Sequence, residues 1–97
     1  MSQIDVMEIL KEQGAELRRR FGIRRLSVFG SVARGEISRG SDVDLLVDFE
    51  GTPDFDRYMD LKFHLEDLLG RKVDLATRKS LRPQLKPRIE QEAIDVA

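Results

Sequence analysis

The chain has 97 residues, a length that suits a single domain spanning residues 1–97 and one sheet with a helix layer. Hydrophobic residues make up 40% and charged residues 36%, with a net charge of −1, which describes a globular chain with a heavily charged surface and argues against a dedicated nucleic-acid binder. The absence of cysteine excludes a disulfide framework, a thiolate metal site and a cysteine nucleophile.

The opening MSQIDVMEIL has no basic region followed by a long apolar run, and no stretch is long enough to cross a bilayer. A cytoplasmic protein without a membrane segment is expected. Ser2, with Asp5 three residues later, resembles a capping box. Val6, Ile9, Leu10, Leu17 and Phe21 follow at helical spacing, and Gly22 is placed to stop that helix. Arg25 to Phe29 is a short β-like run ended by Gly30-Ser31. The polar stretch to residue 40 reads as a loop holding one helical turn. Val43 to Phe49, VDLLVDF, carries the strongest strand pattern. Thr52 and Pro53 suit the cap and first turn of a helix reaching Leu69, with Gly70 at its end. Lys72 to Ala76 is a further short strand, and a last helix is expected from Pro87 to Ile94. The order α-β-(α)-β-α-β-α predicts an α/β (α+β) domain with one small sheet and helices packed on it.

Charge is distributed unevenly. Five arginines lie between Arg18 and Arg25, and nine acids against two bases lie between Asp42 and Asp67. Bases return after Asp74, from Arg78 to Arg88. Taken singly, such charges solvate a surface. Taken together, they describe an acidic centre that concentrates cations, flanked by bases able to face an anionic substrate.

The chemistry concentrates in Phe29 to Val47. Asp42 and Asp44 stand two apart in a strand, so both point to one face, about 7 Å apart along it. Val43, Leu45 and Val47 then point to the core. Two adjacent like charges repel unless a cation lies between them, and oxygen-only ligands suit Mg²⁺ or Mn²⁺. A lone D-x-D is read equally well as the polar face of an edge strand. Gly30-Ser31 follows a strand and opens a helical turn, where a missing side chain and free N–H groups favour an approaching phosphate. By itself the pair is also an ordinary strand-to-helix turn. Arg34 falls one turn later, where a guanidinium can bind phosphate or brace the loop against an acid. Asp74 alternates with Val73 and Leu75, so it faces away from the core as Asp42 and Asp44 do. If its strand neighbours the D-x-D strand, three carboxylates converge.

G-S-x-x-R-G followed by S-D-x-D-L-x-V resembles the signature of the DNA polymerase β-type nucleotidyltransferases. Over nearly the whole chain the fit is to their minimal nucleotidyltransferase domains, often encoded beside a HEPN-domain partner in bacterial and archaeal toxin–antitoxin pairs. The resemblance implies a polymerase β-like fold with a small mixed sheet. It implies that Gly30 and Ser31 hold the triphosphate of ATP or another NTP, with Arg34 and Ser41 counted among the nucleotide-binding residues. Asp42, Asp44 and Asp74 are then the catalytic and metal-binding carboxylates, holding two Mg²⁺ ions or Mn²⁺ in their place. The implied reaction moves a nucleoside monophosphate, AMP from ATP, onto a hydroxyl of a partner protein, a HEPN toxin, within a hetero-oligomer. Two rival functions are a binding-only antitoxin and a small-molecule nucleotidyltransferase of the aminoglycoside type; the chain has no second domain to hold the latter's acceptor. Arg39 and the bases after Asp74 are further candidates for the pyrophosphate charge. His64 is expected at the surface and Tyr58 in the core. Met59 and Phe63 form a second apolar pair on the third helix.

Overall fold

The structure, a computed structural model, describes residues 2–36 and 42–97. Helix α1 (Gln3–Phe21) starts at a capping box: Ser2 Oγ accepts from the Asp5 N–H, and the Ser2 N–H donates to the Asp5 carboxylate. Gly22, at φ 62°, ends the helix in the left-handed conformation that glycine adopts without strain. Strand β1 (Ile23–Phe29) leads directly into the single turn α2 (Gly30–Ala33). Strand β2 (Val43–Phe49), helix α3 (Phe55–Leu69) and strand β3 (Val73–Thr77) form a β-α-β unit. A 3₁₀ turn, Arg78–Ser80, precedes helix α4 (Lys86–Glu92) and the two-residue strand β4 (Ile94–Asp95).

The sheet order is β3-β2-β1-β4, with β2 and β3 parallel and the other pairs antiparallel. Parallel pairing of β2 with β3 follows from the crossover through α3. One face of the sheet carries Val43, Leu45, Val47 and Phe49 of β2, which join Leu26, Val28, Val73 and Leu75 in the core. Helix α1 lies against β1, and α3 lies against both β3 and α1. Val6, Leu10, Leu17, Leu61, Leu65 and Leu69 supply their buried faces, the periodicity that both helices show in sequence.

The outer edge of β3 is covered by side chains of α3. Lys72 C=O turns inward and accepts from the Val43 N–H at 2.9 Å, so the N–H of Val73 and the C=O of Leu75 point outward. Glu66 Oε2 accepts from the Val73 N–H at 3.0 Å, and the Tyr58 hydroxyl donates to the Leu75 carbonyl. Those bonds occupy groups that would otherwise pair with another strand. Tyr58 thus packs at the core margin as expected, with its hydroxyl serving the sheet edge.

Several boundaries differ from the sequence reading. Helix α3 is capped by Asp54, whose carboxylate accepts from the Arg57 N–H at 2.8 Å, and not by Thr52. The C-terminal helix stops at Glu92, and Ile94–Asp95 instead pair with Val28 and Ser27 of β1. His64 is partly exposed on the polar side of α3, with its ring 5.3 Å from that of Phe21. Phe63 is 53% exposed, in keeping with an apolar pair set apart from the core. Arg57, from the polar side of α3, turns inward: Nε donates to Phe21 C=O at 2.7 Å and Nη2 to Gly22 C=O at 2.5 Å. The first bond satisfies a carbonyl left over at the end of α1, and the second adds to the Gly22 carbonyl's bond from the Glu50 N–H.

Candidate active site

Asp44 is the second residue of β2, and Asp74 is the second residue of β3. The parallel register sets them directly opposite each other, so both side chains leave the same face of the sheet. Asp42, exposed and one residue ahead of β2, belongs to the same alternation. β3 thus neighbours β2, and the register brings Asp44 and Asp74 together. Across β1, Phe29 pairs with Asp44, which sets the Gly30-Ser31 turn at the same end of the sheet.

Asp74 and Asp42 both act electrostatically on Asp44. Burial, then the charge of Asp74, then that of Asp42, raises Asp44 above the usual carboxylate range, against a smaller opposing pull from Arg34. Among the described residues, no group of three or more histidine, aspartate or glutamate side chains is placed to hold a metal ion. What stands there is an open, oxygen-only donor set with unbalanced negative charge, which fits a hard divalent cation. Tyr58 lies near enough for its hydroxyl to be shifted upward, by burial first and by Asp74 second.

Gly30 has a role beyond the one read from sequence. Its φ is +71°, and a Cβ there would overlap Asp44 Oδ2 and lie 2.9 Å from Asp44 Cγ. The absent side chain makes room for the Asp44 carboxylate, whatever else approaches the turn. Ser31 follows as the second residue of α2, and Val32 anchors the turn in the core.

Arg34 ends α2 and makes ion pairs. Nε donates to Glu36 at 3.0 Å, and Nη1 donates to Glu92 at the end of α4. Of the two roles open to it in sequence, bracing the loop against an acid is the one seen. Glu92 was not among the residues singled out from sequence. It lies 58 positions from Arg34, and only the placement of α4 brings the two together. Arg78, one of the bases after Asp74, is also engaged: Nη1 donates to Glu90 at 3.0 Å, and Nη2 lies 3.4 Å from Ser27 Oγ. Ser41 and Arg39 fall outside the described residues.

No helix among the described residues is long and apolar enough to cross a membrane. The nucleotidyltransferase domain family matches residues 10–96. The protein adenylyltransferase MntA of Thermococcus cleftensis is 42% identical over 95% of this chain and 93% of its own length. A solved structure assigned as a minimal nucleotidyltransferase superposes with a TM-score of 0.84 at 40% identity, covering 97% of this chain and 95% of that one. The fold also matches, at TM-score 0.69 and 19% identity, a chain in the complex of a tri-AMPylated Shewanella oneidensis HEPN toxin with an MNT antitoxin; the match covers 94% of this chain and 71% of that one. With a β-α-β unit that sets Asp44 beside Asp74 and a glycine turn packed on Asp44, the chain belongs to the nucleotidyltransferase domain family.

Proposed function

We propose that this chain is a cytoplasmic protein adenylyltransferase that moves AMP from ATP onto a hydroxyl of a partner protein, a HEPN toxin, and acts as its antitoxin. The observation that carries the reading is the pairing of Asp44 with Asp74 beside the Gly30-Ser31 turn. The relative at 42% identity, a protein adenylyltransferase, supports a protein as acceptor. The occurrence of this fold in a complex with an AMPylated HEPN toxin supports the class of partner.

In this reading residues 1–97 act as one catalytic domain. The backbone N–H groups opening α2 and the Ser31 hydroxyl hold the triphosphate, and Ser41 of the S-D-x-D motif is a further candidate for nucleotide binding. Asp42, Asp44 and Asp74 would hold two Mg²⁺ ions, or Mn²⁺ in their place. The bound cations would neutralise phosphate charge and lower the pKa of the attacking hydroxyl. The acceptor oxygen forms a bond to the α-phosphorus while the bond from that phosphorus to the bridging oxygen breaks, releasing pyrophosphate. Asp74, exposed at the open side of the pair, accepts the hydroxyl proton.

The test is mass spectrometry of the co-encoded partner after incubation with this chain, ATP and Mg²⁺. One or more added AMP masses are expected, and none with Asp42→Asn/Asp44→Asn. A partner that stays unmodified yet is fully neutralised by that variant would replace the proposal with inhibition by binding alone.

A further inference from the structure

The turn that opens α2 is only four residues long, and one residue of it, Val32, is fully buried. Its position depends on what holds its C-terminal end. There Gln3 of α1 donates to Ala33 C=O at 3.2 Å, and the next residue, Arg34, pairs with Glu92, whose side chain is only 20% exposed. Glu92 is itself held firmly. Two residues later the chain enters β4, which pairs with Ser27 and Val28 of β1, and Arg78 grips α4 through Glu90. Because β1 runs directly into Gly30, the contacts close a ring: Gly30 turn, Arg34, Glu92, β4, β1 and back to Gly30.

We propose that Glu92 is a positioning residue for nucleotide binding, acting through Arg34 to fix the phosphate turn against α4. The proposal rests on the reading of Gly30-Ser31 as the triphosphate turn. Glu36 alone cannot supply the same restraint, because it is 63% exposed and only two residues from Arg34 in the same loop. A contact within one loop does not tie that loop to the rest of the fold. Glu92 reaches it from the C-terminal helix, so the end of the chain is coupled to the site.

The experiment is a double-mutant cycle read by calorimetry with ATP and Mg²⁺. Glu92→Gln and Arg34→Ala should each weaken ATP binding about tenfold, within the range for coupled contacts. The double variant should be no weaker than Arg34→Ala, since Glu92 acts through that side chain. Mn²⁺ binding without nucleotide should be unchanged in Glu92→Gln, which separates positioning from loss of a metal ligand or of the fold. Parent-like or tighter ATP binding by Glu92→Gln overturns the inference, as do fully additive losses or a fall in Mn²⁺ affinity. Failure of the underlying reading has its own signature: the parent itself then shows no Mg²⁺-dependent ATP binding, and the inference falls with it.

Discussion

Gly30 and Asp44 occupy complementary space: the carboxylate of one fills the volume where a side chain of the other would stand. Any substitution at position 30 meets two obstacles, the positive φ and the collision with Asp44. Gly30→Ala should therefore displace Asp44 and strongly reduce Mg²⁺-dependent ATP binding. Ser31→Ala should weaken it only by about 0.5–1.5 kcal/mol, the contribution of one neutral hydrogen bond. Calorimetric titration of both variants checks the order. Equal effects would show that the turn does not approach the phosphates as proposed.

Asp44 also makes a prediction about stability and pH. Its folded pKa is raised by burial, Asp74 and Asp42, in that order. The unfolded chain lacks those neighbours, so the native state holds the proton more tightly. The contribution to stability is full below the ordinary carboxylate pKa and is lost as pH rises through the raised value. In chelator at neutral pH, Asp44→Asn should melt above the parent, and the gap should close on acidification. With Mg²⁺ the order should reverse, because only the parent gains from cation binding. Melting curves across pH, with and without Mg²⁺, provide the measurement.

The hydroxyl of Tyr58 can be tested at the sheet edge. Tyr58→Phe leaves the ring in place and removes the donor to Leu75 C=O. A loss of about 1 kcal/mol is expected, which lowers the melting temperature by about 4–8 °C in a domain of this size. An unchanged melting temperature would show that water replaces the hydroxyl without cost.

The carboxylate pair was legible because strand alternation fixes the side of each residue once the strands are known. Val43, Leu45, Val73 and Leu75 mark the core side, leaving Asp44 and Asp74 on the other. The crossover through α3 supplied the remaining step, adjacency of β2 and β3. Strand β4 was not legible, because two residues carry no period and Ile94 continues an apparent helical run. It exists because β1 offers Ser27 and Val28 as partners. The α3 cap was read at Thr52 with Pro53 in the first turn, but Asp54 can also cap, and the bond from the Arg57 N–H to its carboxylate moves the start two residues on. The partner of Arg34 depends on where α4 packs, which no local pattern encodes.

The sharpest separation between holding the nucleotide and reacting it should come from Asp74. Asp44 is crowded against Gly30 and half-buried, whereas Asp74, its partner across the strand pair, is exposed. An acceptor hydroxyl can reach Asp74 without disturbing the turn. Asp74→Asn keeps the shape of the side chain but removes the charge that would accept a proton. ATP binding should persist, weakened less than in Asp42→Asn/Asp44→Asn, while AMP transfer to the partner falls by about 10²–10⁴, the usual contribution of a general base. The measurement is single-turnover transfer from labelled ATP at saturating nucleotide, which excludes binding from the observed rate. Transfer at the parental rate would remove Asp74 from the chemistry and leave it a neighbour that raises the pKa of Asp44.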